Sequence, residues 1–330
     1  MEFTLPQFIQ LYPTYRCNQR CGFCFNPFHT CTADMTFDNA LTLLDILSCH
    51  GIGEIDIMGG EPLLLDWMPD FVNIAIKSGR SVNLSTNGST PDMMELFAAL
   101  DPEKFNIGVS LEGSTEEKHN RMTNSHHFYR AVASVAELVS SRLDPIVKTV
   151  VSRETMADIQ DIVTLIQEMG VKRYCLIHMD LMTRDTTLRN AALGYCAFRE
   201  FHEELKRNNP YVEILRVNTS CFEKESLPEG VRCAGGVRKL AVMPDGSVYP
   251  CNLFQHFEEF NLGNIFDDSL FTIWTNPKLD LFRHCRVNSC ANGSCPNKNS
   301  CTGGCPAHGY YYYGGHLEPD VRCVDNSQCR

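Results

Sequence analysis

The sequence lacks any apolar run long enough to cross a membrane. A membrane-spanning helix needs roughly 18 consecutive apolar residues, and no stretch of the 330-residue chain reaches that length. A secretory signal peptide is also missing, because the first residues, Met1-Glu2-Phe3-Thr4, are acidic where such signals are basic. We therefore expect no membrane association and no export, and we expect the protein to work in the cytoplasm.

The sequence has few basic residues relative to acidic ones. The chain has 29 Lys and Arg against 40 Asp and Glu, which gives a formal net charge of −11. A protein held mainly by nucleic-acid phosphates or anionic lipids needs a basic surface, so neither partner is expected. The composition, 43% hydrophobic and 21% charged, is typical of a globular protein with a full-sized core. The length suits one large α/β domain with a smaller appendage.

Cysteine, by contrast, is abundant, with 17 residues. A secreted disulfide scaffold would be short and would carry an export signal, and this chain has neither feature. Isolated buried thiols are a second interpretation, and it suits Cys49, Cys175 and Cys196, which occur singly in helix or strand patterns. Metal ligation in a reducing compartment predicts clusters instead. The clusters are Cys17, Cys21 and Cys24, and then nine cysteines from Cys233 to Cys329.

Up to about residue 212, strand patterns alternate with helix patterns. The first helix pattern, for example, has Thr36 as an N-cap and Gly51 as a stop, with apolar residues at helical spacing between them. Six strand–helix units predict a parallel sheet in a partial (β/α)6 barrel of the TIM type over residues 1–212. The predicted strands cover residues 8–12, 54–57, 81–84, 105–110, 146–151 and 171–177.

The remaining residues, 213–330, follow a different pattern. Residues 239–242 and 248–250 flank an Asp245-Gly246 turn and predict a β-hairpin. From Cys285 onward the chain is mostly Cys, Asn, Gly, Ser and Pro, a composition that cannot build an apolar core. Because metal binding can supply the folding energy of such a segment, we expect a small Cys-rich domain here.

The first cysteine cluster, Cys17-x3-Cys21-x2-Cys24, directly follows the first predicted strand. Zinc is the competing metal, but a closed zinc site takes four protein ligands and this loop offers three thiolates. A [4Fe–4S] cluster held by three cysteines leaves one iron open to a further ligand. The position also favours function, because barrels of this type build their active sites at the C-terminal ends of their strands.

With Phe23 as its aromatic residue, this loop resembles the CxxxCxΦC motif of the radical S-adenosylmethionine (SAM) superfamily. Segments after the next three strands resemble the GGE-P, S-x-N-G and S-x-D-G motifs of that family, the last with Glu in place of Asp. Four motifs in order at successive strand ends make the resemblance specific. The three segments are Gly59-Gly60-Glu61-Pro62, Ser85-Thr86-Asn87-Gly88 and Ser110-Leu111-Glu112-Gly113.

The resemblance implies a mechanism. In radical SAM enzymes a reduced [4Fe–4S] cluster cleaves SAM, and the resulting 5′-deoxyadenosyl radical abstracts a hydrogen atom from the substrate. It also implies a flavodoxin- or ferredoxin-type reductant, and it makes Cys17, Cys21 and Cys24 the cluster ligands. The implied SAM contacts are the Gly59-Gly60-Glu61 turn for the amino group, Phe23 near the adenine, Ser85, Asn87, Ser110 and Glu112 toward the carboxylate and ribose, and Arg121 on the carboxylate. A solvated surface arginine is the alternative for Arg121.

The C-terminal cysteines resemble the SPASM extension of radical SAM enzymes, which holds two auxiliary [4Fe–4S] clusters. The pattern begins with Cys233-x12-Gly246-x4-Cys251 and continues through four closely spaced cysteines to a late one. The resemblance implies Cys233, Cys251 and Cys305 as ligands of the first auxiliary cluster, and Cys290, Cys295, Cys301 and Cys323 as ligands of the second.

Two departures from the SPASM pattern leave ligands open. Four residues separate Cys290 from Cys295 where the family has two, so Cys285 competes with Cys290 for the ligand position. The stretch between the first two SPASM cysteines contains no other cysteine. The first auxiliary cluster therefore takes Cys221 as its fourth ligand or keeps one iron open to substrate.

Two cysteines, Cys31 and Cys329, have no assigned partner, and we interpret them as free thiols. A zinc ribbon is the competing interpretation of the C-terminal region. It is disfavoured because no cysteine pair from Cys233 onward has the C-x2-C spacing of a zinc knuckle.

SPASM enzymes most often modify peptides or proteins, so the resemblance implies a maturase that acts on a peptide or protein side chain. Asn252 follows the second SPASM cysteine, where the sulfatase maturases have Asp. An amide does not titrate and cannot act as a base, so a sulfatase-type oxidation is disfavoured. The chain starts close to its first strand, so we expect that the barrel mouth binds the peptide or that a separate leader-binding or delivery protein presents it.

Two other functions stay open. One is a radical SAM oxidase or carbon–carbon bond-forming enzyme that acts on a small molecule such as a sugar or nucleoside. The other is a non-enzymatic iron–sulfur electron carrier. The combination of CxxxCxxC with Gly59-Gly60-Glu61-Pro62 counts against a carrier, because electron transfer needs no SAM pocket.

Overall fold

The computed structural model describes residues 4–26, 33–217, 231–283, 301, 303–315 and 317–324. Within these residues the strands are β1 (Phe8–Leu11), β2 (Glu54–Ile57), β3 (Ser81–Thr86), β4 (Phe105–Ser110), β5 (Ile146–Val151), β6 (Arg173–His178), β7 (Glu213–Val217), β8 (Lys239–Val242) and β9 (Val248–Tyr249). The cysteines that lie outside the described residues are Cys31, Cys221, Cys285, Cys290, Cys295 and Cys329.

The helices of the described residues mostly follow strands. They are α1 (Phe37–Cys49), α2 (Met68–Lys77), α3 (Glu116–Thr123), α4 (Phe128–Ser140), α5 (Ile159–Glu168), α6 (Thr186–Ala191), α7 (Tyr195–Asn208), α8 (Leu270–Trp274), α9 (Asp280–Arg283), α10 (Pro306–Tyr313) and α11 (Val321–Val324). Short 3₁₀ helices occupy Pro62–Leu64, Pro91–Phe97, Thr155–Ala157, Asn252–His256, Glu258–Phe260 and Pro277–Leu279. None of the described helices combines the length and the apolar character that a membrane span requires.

One sheet contains all the described strands, in the order β7-β6-β5-β4-β3-β2-β1-β8-β9. Neighbouring strands are parallel, except that β8 and β9 form an antiparallel hairpin. The predicted α/β class is confirmed, and the predicted six strands and the hairpin are all present.

The sheet also contains two parallel pairings that the sequence pattern did not predict. β7 is a further parallel strand beside β6 and lies just past the expected boundary at residue 212. Only Ile214 of this strand is buried, so the strand lacks the regular alternation of buried and exposed residues that would predict it from sequence. β8 pairs with β1, with Leu11 opposite Val242, which attaches the C-terminal hairpin to the strand that precedes the first cysteine loop.

The apolar face of the sheet is covered by helices. Thr36 is the N-cap of α1, as predicted, and its side chain accepts a hydrogen bond from the backbone N–H of Asn39 (3.1 Å). Its buried residues include Leu43 and Leu47 at helical spacing. Helices α2, α4 and α7 pack against β3, β4 and β6 in the same way. This packing leaves the other face of the sheet for polar side chains.

That other face curves inward. Lys148 on β5 donates a hydrogen bond through Nζ to Ser85 Oγ on β3 (2.8 Å), although β4 lies between the two strands. Gly108 on β4 makes this possible, because a Cβ at that position would overlap the Lys148 side chain. A hydrogen bond that crosses an intervening strand fits the curvature of a partial barrel.

Candidate active site

The first cysteine loop lies after β1 and is held against the end of α3. The backbone N–H groups of Arg20 and Gly22 donate to the carbonyls of Thr123 (3.0 Å) and Met122 (3.3 Å). These bonds fix the middle of the loop through its backbone. The thiols also make contacts of their own, since Cys17 Sγ accepts from the backbone N–H of Gln19 (3.4 Å) and Cys21 Sγ donates to Gln19 Oε1 (3.5 Å).

The thiols of this loop lie near one another. Burial raises the pKa of both Cys17 and Cys21, and the neighbouring charge of Cys24 raises each pKa further. Three thiolates therefore gather here only if a positive centre compensates their charge, as iron does. The donor set and its proximity fit a [4Fe–4S] cluster held by three cysteines.

The loop after β2 packs directly on the backbone that leads into the cysteine loop. The N–H of Gly60 donates to the Thr14 carbonyl (2.9 Å), and the N–H of Glu61 donates to the Arg16 carbonyl (2.7 Å). A Cβ on Gly59, whose φ is +131°, would lie 2.5 Å from the Thr14 oxygen, and a Cβ on Gly60 would overlap the Arg16 carbonyl. The two glycines are needed for this close approach of two backbones.

Glu61 points into the protein. Its carboxylate is completely buried and accepts hydrogen bonds from the backbone N–H of Leu63 (3.0 Å), the Thr86 hydroxyl (2.7 Å) and the backbone N–H of Asn87 (2.6 Å). Burial raises the pKa of Glu61 to about 7, against the opposing effect of these donors. The carboxylate thus joins the loop after β2 to the loop after β3.

Asn87 continues this connection to the cysteine loop. Its Nδ2 donates to Asn18 Oδ1 (2.8 Å) and lies 3.8 Å from Cys17 Sγ. Asn18 in turn donates to Ser89 Oγ (2.8 Å). The structure therefore brings Cys17, Glu61 and Asn87 into one hydrogen-bonded group, as the order of the motifs predicted.

The other predicted SAM contacts on and after β3 and β4 are Ser85, Ser110 and Glu112, and in the structure they lie near β5. Ser85 accepts from Lys148, and Ser110 is paired with Lys148 in the sheet register. Glu112 is buried, and its carboxylate accepts from the backbone N–H of Val150 (2.9 Å). Burial raises the pKa of Glu112 to about 8.

Arg121 lies on the rim of an open cleft of about 380 Å³ that Glu112 also lines. Its guanidinium pairs with Glu154 (3.0 Å), and its side chain is 54% exposed. In this structure Arg121 is therefore a half-exposed arginine in an ion pair. Its predicted contact with the SAM carboxylate stays a prediction.

Phe23 packs against residues that follow β6 and against α11. It contacts an apolar cluster that includes Met179, Leu181 and Val321. Together with Cys24 it lines a second, small cleft. The structure shows this apolar packing, and the predicted contact with the adenine stays a prediction.

The three predicted ligands of the first auxiliary cluster meet in the core. Cys233, Cys251 and Cys305 are all buried. Burial raises the pKa of Cys251 to about 11, with a further contribution from Cys233, and Cys251 in turn raises the pKa of Cys305. Gly235 lies between them, since a Cβ there would be 3.5 Å from Cys233 Sγ and 3.4 Å from Cys251 Cβ. Three sulfur donors at one place again fit an iron–sulfur cluster.

The other described SPASM cysteines lie near Cys196, which occurs singly in the sequence. Cys301 and Cys323 pack against the buried pair Tyr195 and Cys196 at the start of α7. The interpretation of Cys196 as an isolated thiol is therefore wrong, because its neighbours come from a distant part of the chain. Cys49 is also exposed rather than buried.

A buried ionic network joins this region to the barrel, and no local sequence pattern indicates it beyond the position of Asp320 near Cys323. Asp320 accepts from the backbone N–H of Cys305 (2.9 Å), from His308 (3.1 Å) and from Arg322 (2.8 Å). Burial alone would raise the pKa of Asp320, but the charges of Arg322 and His308 hold it well below its usual value. Arg322 also pairs with Asp180 after β6 (3.2 Å).

Asn252, the residue in place of a maturase aspartate, is buried beside the barrel. Its Nδ2 donates to the hydroxyl of Tyr12 (2.9 Å), at the end of β1. Burial raises the pKa of Tyr12 well above its ordinary value. At neutral pH this pair therefore offers a neutral amide and a neutral phenol rather than a carboxylate base.

Two family models match the chain at the places that the site occupies. The Radical SAM superfamily model matches residues 11–183, more than half of the chain. The SPASM model, an iron–sulfur cluster-binding domain, matches residues 233–306. The fold and the cysteine sites thus define an iron–sulfur protein of the SAM-cleaving class, and the chain belongs to the radical SAM superfamily.

Similar proteins have been characterised in several bacteria. The chain is 24% identical over 325 residues to the antilisterial bacteriocin subtilosin biosynthesis protein AlbA of Bacillus subtilis, covering 92% of this chain and 68% of that protein. It is 27% identical over 332 residues to the mycofactocin maturase MftC of Mycobacterium tuberculosis, covering 94% and 81%. The crystal structure of Streptococcus suis SuiB bound to S-adenosylmethionine has the same fold, with a TM-score of 0.81 at 16% identity, over 97% of this chain and 77% of SuiB.

Proposed function

We propose that this protein is a radical SAM maturase that modifies a side chain of a ribosomally made peptide or protein. The observation that carries the proposal is the hydrogen-bonded group of Cys17, Glu61 and Asn87 at adjoining strand ends. A bound [4Fe–4S] cluster with SAM supplies the reducing electron and the radical that abstracts a hydrogen atom. The protein supplies ligation, orientation and the exclusion of water.

Each part of the site has a distinct task in this proposal. Cys17, Cys21 and Cys24 would hold the cluster, and three thiolates would leave it one coordination position for SAM. Gly59 and Gly60 let the loop after β2 approach the cysteine loop closely. The family motif implies that the backbone of this loop would receive the SAM amino group. The polar groups of the neighbouring strand ends, with Phe23 and Arg121, complete the SAM contacts in the roles that the family motifs imply.

Glu61 acts as a positioning residue rather than a direct SAM ligand. Its buried carboxylate already accepts three hydrogen bonds, from Leu63, Thr86 and Asn87, which leaves it little capacity for a cofactor. By holding the backbone of Asn87, it sets the distance between the loop after β3 and Cys17. The radical chemistry depends on such fixed geometry, because a displacement of about 1 Å can cost two orders of magnitude in rate.

The relatives support a peptide as substrate. The names of AlbA and MftC connect them with subtilosin and mycofactocin biosynthesis. SuiB has also been crystallised with its precursor peptide SuiA. We extend this substrate class to the present chain, with a flavodoxin- or ferredoxin-type reductant and a cytoplasmic location. A separate leader-binding protein is the expected means of delivery where the barrel mouth alone does not bind the peptide.

The first test is SAM cleavage. The anaerobically reconstituted protein is incubated with SAM and dithionite, and we expect 5′-deoxyadenosine and methionine in equal amounts. An absence of both products would remove every enzymatic hypothesis and leave an iron–sulfur carrier.

The second test identifies the substrate class by isotope transfer. Candidate peptides encoded beside the gene are synthesised with deuterated side chains, and deuterated sugars and nucleosides serve as the comparison. Because the radical takes a substrate hydrogen atom, deuterium should appear in 5′-deoxyadenosine only with the peptide. Transfer from a sugar or nucleoside instead would contradict the maturase proposal while leaving radical SAM chemistry intact.

A further inference from the structure

Cys196 is a cysteine that neither family model covers. It lies between the matched segments 11–183 and 233–306, in the first turn of α7. Its side chain is buried, with 6% of its surface exposed. Helix α11, which carries Cys323, packs against α7 at this point. The barrel helix α7 and the C-terminal helix α11 therefore pack together, and each of them carries a cysteine at the contact, Cys196 and Cys323.

The surroundings of Cys196 are rich in sulfur. Cys196 and Tyr195 form a buried cluster against which Cys301 and Cys323 pack. Cys196 is disulfide-bonded in the structure, whereas Cys301 and Cys323 are not. Two of these neighbours, Cys301 and Cys323, are the described members of the ligand set that the SPASM pattern implies for the second auxiliary cluster. Three cysteines from two separate parts of the chain therefore converge on one place.

We propose that Cys196 is a ligand of the second auxiliary [4Fe–4S] cluster, together with Cys301 and Cys323. The inference rests on the proposed function, because it requires the auxiliary clusters. A fully ligated [4Fe–4S] cluster takes four cysteine thiolates. Cys196 binds by losing its thiol proton to solvent and forming one Fe–S bond. Where Cys196 is first held in a disulfide, a thiol reductant supplies two electrons and solvent supplies two protons, which releases two thiols.

The position of Cys196 also suits a thiolate. It is the second residue of a 14-residue helix, where the unpaired backbone N–H groups and the helix dipole stabilise negative charge. With Cys196 as one of four ligands, the implied set of Cys290, Cys295, Cys301 and Cys323 contains one cysteine too many. The irregular Cys290–Cys295 spacing indicates that Cys196 replaces one member of that pair. The cluster would then fasten the C-terminal segment to the barrel wall.

The test measures iron and the cluster spectrum in Cys196→Ala. We expect about 12 iron atoms per chain in the wild type, and in the variant either about 8 or an unchanged count with an altered auxiliary-cluster EPR signal. Cys175→Ala is the matched control, because Cys175 is also a buried barrel cysteine, on β6, and lies outside every proposed ligand set. It should keep both the iron content and the spectrum of the wild type.

Cys196→Ser separates a ligand from a structural cysteine. Serine keeps the size of the side chain and can bind iron through oxygen, so we expect a cluster whose Mössbauer spectrum shows one altered iron site. The SAM-induced change in the barrel-cluster EPR signal reports that the barrel is folded. Wild-type iron content and spectra in both variants would show that Cys196 forms only a disulfide and would overturn the inference. A wild-type protein with about four irons would remove the auxiliary clusters on which this inference depends, whereas a failure to cleave SAM would contradict the proposed function itself.

Discussion

The side chain of Glu61 accepts a 2.6 Å hydrogen bond from the backbone N–H of Asn87, so the loops after β2 and β3 are joined by a buried carboxyl group. The Glu of a GGE-P motif would be expected from its sequence position to face a ligand. In this protein it faces the interior and organises the residue that reaches Cys17. The motif is therefore a structural support for the cysteine loop.

Glu61→Ala should weaken the fold and the site together. The substitution leaves Leu63, Thr86 and Asn87 without their buried acceptor, and each unsatisfied buried donor costs about 1–3 kcal/mol. We expect the free energy of unfolding to fall by at least about 2 kcal/mol in urea titrations, with weaker SAM binding. Glu54→Ala is the control, because Glu54 accepts from Asn83 on the adjacent strand at a partly exposed position. Equal losses of unfolding free energy in both variants would contradict the role of Glu61 as a buried acceptor that supports the site.

Gly60→Ala should disturb the contact between the loop after β2 and the cysteine loop. A Cβ at Gly60 would overlap the backbone carbonyl of Arg16, which cannot move without displacing Cys17. We expect a destabilisation of about 1–3 kcal/mol or more, together with less iron after reconstitution. Gly53→Ala is the control, because a Cβ at Gly53 would meet nothing within 4 Å. Iron content and thermal unfolding are measured for both variants. If Gly60→Ala equals Gly53→Ala in both quantities, the close approach of Gly60 to Arg16 is not required for the cluster site.

The sequence predicted those features whose signals are local. The strand–helix alternation, the Thr36 cap, the Asp245-Gly246 hairpin and the motif loops at strand ends each depend on residues within about a dozen positions. The order of the motifs then placed Cys17, Glu61 and Asn87 together, because the C-terminal ends of parallel strands share one edge of a sheet.

The features that the sequence did not predict depend on distant pairings. β8 lies beside β1 because the first strand has an open edge, and no local pattern indicates which segment covers it. The inward orientation of Glu61 depends on donors that belong to the next strand loop. The meeting of Cys196 with Cys323 depends on the packing of α7 against α11.

Arg322→Met should destabilise the protein strongly. Arg322 compensates the buried charge of Asp320, and removing one partner of a buried ion pair costs about 3–5 kcal/mol. Arg121→Met is the matched control, because its ion pair with Glu154 is more than half exposed and should contribute less than about 1 kcal/mol. Urea unfolding followed by circular dichroism measures both. Adding Asp320→Asn to Arg322→Met should recover part of the loss, and a double variant no more stable than Arg322→Met would contradict charge compensation.

Glu112 should make stability depend on pH. Burial raises its pKa from an ordinary 4.5 to about 8, so the folded protein holds this proton more tightly than the unfolded chain. The associated stability is complete below about pH 4.5 and is lost as the pH rises through about 8, with a slope of at most about 1.4 kcal/mol per pH unit. Glu112→Gln removes this titration. The difference in unfolding free energy between wild type and variant should therefore shift in favour of the variant between pH 5 and pH 9, and a pH-independent difference would show that Glu112 does not titrate there.

Cys21→Ala should abolish SAM cleavage and leave the auxiliary clusters intact. The variant keeps two thiolates in the first loop, too few to hold a [4Fe–4S] cluster with a single open iron, so 5′-deoxyadenosine should fall to the background level. The auxiliary ligands Cys233, Cys251 and Cys305 form a separate buried group, so iron should decrease only from about 12 to about 8 atoms per chain. Cys49→Ala, an exposed cysteine at the end of α1, should retain full iron and full cleavage. Persistent cleavage in Cys21→Ala would show that the open iron belongs to another cysteine set, because SAM can be reduced only where a cluster offers it a free coordination position.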